Sequence, residues 1–386
     1  MISRRDFVRT TSGAIAAVGA MHPLLSWAVD NSYNISGKDR MVVRSSQFLD
    51  LEMPPEFATS WITPLNHFFV RNHMLAPDPI DVADWRLNVA GSVEHPLSLT
   101  LSDLQKFEQH TVVSIIECAG NGRGFFRPQL PGIQWGRGAI GNAQFSGPRL
   151  RDVLQKAGLK DSGKHVMFRG ADVVLGKVPP FIRSIPIEKA LDGDTLLATH
   201  MNGQPLIHHH GFPCRTLTPG WVGSASCKWL TDIKVLDKEF EGNFMKPGYR
   251  FPNHPGKPGE AINPDDTYPL TALTVKSLIA LPAESQSNNR TIHLQGTAWA
   301  GEADITRVEL STDGGSTWKP AKLGHDHAKY AWRLWSYKWK APRSGDYTIL
   351  SRATDSQGRT QPATPVWNPS GYLYNTYDQV KIHVQA

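Results

Sequence analysis

The sequence predicts an α+β protein, with a mixed domain over residues 40–262 and an antiparallel β-sandwich over residues 268–386. Three observations carry this. A β-branched run (Val112, Val113, Ile115, Ile116) drives into Cys118 and breaks at Gly120 and Gly122, which reads as a buried strand ending in a tight turn. Leu150, Val153, Leu154 and Ala157 recur at helical spacing and stop at Gly158. Beyond residue 268, short alternating segments recur between Gly, Asn and Asp turns, the pattern of a sandwich.

The chain opens with an address. Ser3-Arg4-Arg5-Asp6-Phe7, a weakly apolar segment from Gly13 to Ala20, and Ser26-Trp27-Ala28 read as a twin-arginine signal peptide over residues 1–28. That pathway exports folded proteins, so the expected location is the bacterial periplasm. The apolar run is too short to span a membrane, and no other stretch reaches that length. The 386 residues suffice for two or three domains, and 40% hydrophobic with 20% charged is an ordinary globular composition. A net charge of +6 favours an anionic substrate or an acidic partner. No Lys/Arg block marks a nucleic-acid surface.

In chain order, residues 30–60 read as an extended lead-in broken at Met53-Pro54-Pro55. Trp61 to His73 reads as an apolar strand whose end places Arg71 and His73 on one face, suited to an oxyanion. Trp85 to Gly91 alternates as a strand, and Ser102 to Phe107 is a short capped helix. After the cysteine strand, the glycine-rich stretch Gly132 to Gly141 lacks the order of a phosphate loop, so it lets backbone pass close to a ligand instead. Val166 to Asp172 is a strand with an acid at its end. Ile185 to Leu191 is a strand entering a helix, and Leu196 to Leu206 a strand with an Asn-Gly turn.

His208-His209-His210 cannot all face one ion from a strand, because neighbours point to opposite faces. Ser226 and Lys228 would share a strand face. Residues 239–267 are irregular, as in a functional loop or a linker. In the sandwich, Asp313-Gly314-Gly315 marks a hairpin turn, and Trp332 and Trp335 pack either within it or at a subunit interface.

The cysteines are Cys118, Cys214 and Cys227, an odd count that leaves a thiol unpaired or ligated in an oxidising compartment. Their spacing fits neither haem attachment nor a zinc site. At the end of its strand, Cys118 is either a soft metal ligand, with Arg123 raising its thiolate fraction, or a small buried hydrophobe.

The surrounding motifs favour the ligand. Phe69 to His73, Glu117 to Arg123, Trp135 to Asn142, His210 to Arg215, Pro219-Gly220 through Leu230, and Val366 to Pro369 occur in the order found in the sulfite oxidase family of molybdenum-cofactor enzymes. The chain resembles that family from Trp61 to its C-terminus. The resemblance implies a molybdopterin domain followed by an immunoglobulin-like dimerisation domain. It implies Cys118 as the thiolate ligand of molybdenum. It places Arg71 and Arg123 at the oxyanion, Trp135 as an aromatic wall and Tyr249 as the active-site tyrosine. It assigns His73, Asp172, His210, Arg215, Ser226 and Lys228 to the molybdopterin. The implied reaction is oxidation of sulfite to sulfate by oxo transfer. With no haem domain in this chain, electrons leave to a separate cytochrome c or similar carrier. A homodimer is expected.

Two positions depart from the animal members: Ser370 stands where they carry an arginine near the substrate, and Gly122 replaces another arginine. Substrate identity therefore stays open to a sulfane-sulfur dehydrogenase or another oxo-transfer enzyme. An oxide reductase is disfavoured by the paired Arg71 and Arg123. A non-catalytic binding protein is disfavoured by the presence of Cys118, Arg71, Arg123 and Tyr249 together.

Overall fold

The β-branched run before Cys118 lies in the strand Gln109–Glu117, whose last four residues are buried. It pairs antiparallel along its whole length with Ile140–Pro148, which brings Glu117 opposite Ile140. His200–Met201 and Gln204–Pro205 extend this sheet to four strands around the Asn202-Gly203 turn. The structure, a computed structural model, describes residues 35–385 except 36, 283, 284 and 288. The expected signal peptide lies outside the described residues.

A second sheet of five strands runs in the order Leu97–Leu99, Leu87–Gly91, Leu230–Leu236, His165–Gly170 and Ile182–Pro186. Its central pair, Leu87–Gly91 with Leu230–Leu236, is parallel. Among the described residues the helices are short. The helix Leu101–Gln105 is capped by a reciprocal Thr100 and Asp103 box. The helix Leu150–Lys156 buries Leu150, Val153 and Leu154, and Ile187–Ala190 follows Pro186. The first domain is thus mostly β.

Two expected strands are absent. Between Trp61 and His73, Pro64 accepts from the backbone N–H of His67 and Phe68, and only Val70 makes a bridge, to Leu51. Turn formation at Pro64 overrides the apolar pattern, so Arg71 and His73 do not share a strand face. Ser226 and Lys228 likewise precede the strand, which begins at Leu230, after a turn at Gly223–Ala225 and a left-handed Trp229 (φ 49°). The irregular stretch contains a small ladder of Arg250–Pro252 against Thr267–Pro269.

The sandwich packs a four-stranded sheet (Lys276–Leu281, Thr291–Trp299, Arg333–Lys340, Lys322–Leu323) on a five-stranded one (Ser285–Ser287, Asp378–Val384, Gly345–Asp355, Ile305–Ser311, Lys319–Pro320). Asp313 closes its hairpin by accepting from the Thr317 N–H and the Ser311 hydroxyl. Trp332 and Trp335 are buried within the chain, which removes the subunit-interface alternative for both. The Trp332 indole donates to the Trp61 carbonyl. One core unites Ile115, Ile116 and Ala119 of the first domain with Leu278, Trp299 and Trp332 of the sandwich.

Candidate metal and cofactor site

Cys118 leaves the end of its strand with its N–H donating to the Ala139 carbonyl at 2.9 Å, so the sheet continues one residue past Glu117 to fix its position. The chain then turns: Asn121 N–H returns to the Cys118 carbonyl and Arg123 N–H to Gly120. Gly122 turns left-handed (φ 91°), which favours glycine there.

Cys118 lines a narrow, partly open cleft. Arg71, His73, Asp172, His210, Arg215, Ser226, Lys228 and Tyr249 line the same cleft. The structure therefore brings together nine of the eleven candidate residues.

The other two stand behind it. Trp135 is fully buried and meets Phe69 edge-on at 6.4 Å, so it backs Phe69, which lines the cleft together with Phe68, Phe181 and Tyr249. Arg123 is buried, with Nε donating to the Ser370 carbonyl and Nη1 to the Ile133 carbonyl. Its charge still acts on Cys118 and His73.

Each lining group has an anchor. Arg71 pairs with the buried carboxylate of Asp50 at 3.1 Å and donates to the Asn72 carbonyl. Lys228 donates to the Asn72 side chain and, at 2.9 Å, to the His209 carbonyl. Arg215 spends its guanidinium on the carbonyls of His210, Ser226 and Thr216, so it holds the cleft's backbone. Ser226 accepts from the Thr218 N–H. His73 hydrogen-bonds through Nε2 to the Tyr249 hydroxyl and stacks on Phe181 at 4.2 Å. Tyr249 sits at a left-handed φ of 54°, the kind of strain that concentrates at functional sites. Tyr372, from the loop beyond Asn368, stacks on Tyr249 at 5.4 Å, and Arg183 and Arg123 flank this pair on their ring faces.

Burial dominates the electrostatics. It pushes the Cys118 thiol up, and Arg71 and Arg123 only partly offset this. Arg123 thus raises the thiolate fraction of Cys118 as expected, but burial outweighs it. Burial, with the charges of Arg71, Arg183, Lys228 and Arg123, holds His73 well below its ordinary value and thus neutral. Burial raises the Tyr249 phenol and lowers the Lys228 amine. Cys214 and Cys227 are free and buried, with Cys227 pushed up to about 12 by burial.

The residues fit a molybdopterin. His210 Nε2, His209 Nδ1 and Ser224 Oγ line the cleft, are buried and have no hydrogen-bond partner. Buried polar groups without partners are costly, so these are places for a polar ligand. Arg71, Arg215 and Lys228 outnumber the one lining carboxylate, Asp172, which favours an anion. A soft thiol at one end suits a soft metal. Sequence reading missed Asn72, although it lies inside a quoted motif, and missed Asp50, Arg183, Phe181, Ser224 and Tyr372. Ser224 also lies inside a quoted motif and Tyr372 three residues beyond one, whereas Asp50, Phe181 and Arg183 lie outside the motifs.

The family described as "Oxidoreductase molybdopterin binding domain" matches residues 73–244, and "Mo-co oxidoreductase dimerisation domain" matches residues 267–385. The mitochondrial sulfite oxidase of Rattus norvegicus is 35% identical over 359 residues, covering 89% of this chain and 65% of that protein's length. The sulfite oxidase of Gallus gallus is 34% identical over 348 residues, covering 86% of this chain and 75% of its own length. The crystal structure of the sulfane dehydrogenase SoxCD from Paracoccus pantotrophus matches with a TM-score of 0.78 and 26% identity, over 98% of each chain. With both domain families matched in order, and a relative at this identity covered over three quarters of its length, the chain belongs to the sulfite oxidase family of molybdopterin oxidoreductases.

Proposed function

We propose that this protein oxidises sulfite to sulfate at a molybdenum held by Cys118, and passes electrons to a separate one-electron acceptor of the cytochrome c kind. The observation that carries the reading is the cationic lining of the Cys118 cleft by Arg71, Arg215 and Lys228. Arg71 lines the cleft and supplies a guanidinium that matches an oxyanion. When bound, the molybdenum cofactor supplies oxo transfer and the redox centre.

The chain does the rest. Asp50 and the Asn72 carbonyl hold Arg71 in place for the anion. His210, Ser224, Ser226, Arg215 and Lys228 form the cradle for the pterin and its phosphate, and Asp172 receives its donors. Tyr249 and the neutral His73 share a hydrogen bond at the cleft wall. Burial keeps the phenol protonated, so Tyr249 retains a proton to donate. Trp135 backs Phe69, which lines the cleft.

The twin-arginine pattern supports a periplasmic enzyme, and the dimerisation family over residues 267–385 supports a homodimer. Domains are assigned to residues 40–262 and 268–386. The test is steady-state turnover of the molybdenum-loaded protein. Sulfite should reduce two equivalents of ferricytochrome c per sulfate formed, and sulfoxide should not serve as oxidant. Failure with sulfite, alongside turnover of sulfane sulfur, would replace this reading with the second one. That second reading, a sulfane dehydrogenase, is favoured by the full-length match to SoxCD and by Ser370 standing where animal members have arginine.

A further inference from the structure

The residue before the metal ligand is gripped by the other domain. Glu117 Oε1 accepts from Lys276 Nζ at 3.0 Å and from Asn121 Nδ2 at 2.8 Å. Its Oε2 accepts from the Trp299 indole at 2.8 Å. All four side chains belong to buried residues. Lys276 opens the first strand of the four-stranded sheet and Trp299 closes the strand beside it, Thr291–Trp299, and the two face each other directly in the ladder. One cross-strand pair of the sandwich therefore supplies both interdomain donors.

The grip reaches both ends of the cysteine turn. Lys276 Nζ also donates to the Asn121 carbonyl at 3.2 Å, and Asn121 Oδ1 accepts from the Ala139 N–H. The Asn121 N–H in turn donates to the Cys118 carbonyl. A buried carboxylate with three satisfied donors has one orientation. A turn tied to it at both ends has one path.

We propose that Glu117 is a positioning residue for the metal thiolate, and that Lys276 and Trp299 of the sandwich domain act through it to set the direction of Cys118. This rests on Cys118 as the molybdenum ligand. It adds that the second domain takes part in the metal centre as well as in assembly.

Glu117→Gln preserves volume, but its single carbonyl oxygen cannot serve both sides of the grip. Whichever way the amide turns, its NH₂ faces a donor, either the indole or the Lys276 ammonium. The expected result is metal retention weakened about tenfold, the lower end of the effect of removing a ligand's supporting hydrogen bonds. A changed Mo(V) electron paramagnetic resonance spectrum should accompany it, recorded after reduction by sulfite and one-electron reoxidation with a limiting amount of ferricytochrome c. Trp299→Phe removes one donor and should change the spectrum in the same sense, less strongly.

Lys276→Met alone leaves a buried carboxylate without its cation and is expected to fold poorly. Glu117→Gln combined with Lys276→Met removes both charges and should recover the unfolding midpoint while keeping the altered spectrum. Molybdenum content, spectrum and unfolding midpoint of these full-length variants decide the matter. Wild-type metal content and spectrum in folded Glu117→Gln, and in the double variant, would overturn the proposal and leave the grip as domain adhesion only. Absence of molybdenum from the wild-type protein would instead overturn the assignment of Cys118.

Discussion

Cys118 is held by burial in the form that binds metal least well, because the neutral thiol is favoured over the thiolate. Metal binding must therefore displace a proton, and a hydroxyl at this position offers no comparable soft ligand. Cys118→Ser should leave the unfolding midpoint near that of the parent and abolish molybdenum retention, read by elemental analysis. A full complement of metal in the variant would refute the ligand assignment. Lys38 offers a pH prediction away from the thiol. Its Nζ donates to the Leu65 and Phe68 carbonyls at 2.6 and 2.7 Å, and burial pulls its pKa down to about 7. The unfolded chain keeps the ordinary 10.5, so between pH 7 and 10.5 it binds a proton that the folded chain lacks. Stability conferred at this position thus rises with pH across that window and is least below it. Relative to Lys38→Met, the wild type should gain stability from pH 7 to pH 10 in denaturant titrations; parallel curves would contradict this. Cys118, Arg71, His73 and Lys228 were legible in the sequence because each sits in a short motif. Asp50 was not, because its partner Arg71 lies 21 residues away and nothing local marks the pairing.

Strands with β-branched or alternating patterns were readable where burial alone decided them. Gln109–Glu117, His165–Gly170 and Thr291–Trp299 are examples. Segments governed by turns were not. Pro64 bends the stretch before Arg71, and the left-handed Trp229 bends the one after Lys228, so the cleft's two cationic walls are loops where strands were expected. The His208–His210 turn shows what such loops require. It ends at Gly211 with φ 102°, where an added Cβ would lie 2.9 Å from Lys228 Cβ and 3.0 Å from Lys228 Cα. Gly211→Ala should cost about 1–3 kcal/mol through the disfavoured backbone alone, with the contact adding to it. Because Lys228 is the neighbour that must move, molybdenum content should fall along with the melting temperature. An unchanged melting temperature would show that the turn relaxes freely.

Across the whole molecule, the two domains share a core and are joined by hydrogen bonds at several depths. The Ile115 N–H donates to the Tyr330 carbonyl, the Leu373 N–H to the Ala119 carbonyl, and Arg137 pairs with Asp378 at 3.1 Å. Residues 35–385 should therefore unfold in one calorimetric transition, with the sandwich melting together with the metal domain. Two resolved transitions would show the domains to be independent. The sandwich itself was legible from its alternation, but its role at the cleft was not. Asn368 folds its loop by accepting from the Tyr372 N–H and donating to the Tyr372 carbonyl, and this delivers Tyr372 to Tyr249. No local pattern announces a contact that depends on how two domains dock.

The grip on Glu117 also sets an order in time. Its indole partner follows it by 182 residues. At ribosomal speeds of about 5–20 residues per second, roughly 10–40 s separate the synthesis of the two. During that interval the cysteine turn exists without its restraint. On the proposed role of Cys118, the metal's seat is completed only late in translation, which favours insertion of the cofactor into the finished chain rather than the growing one.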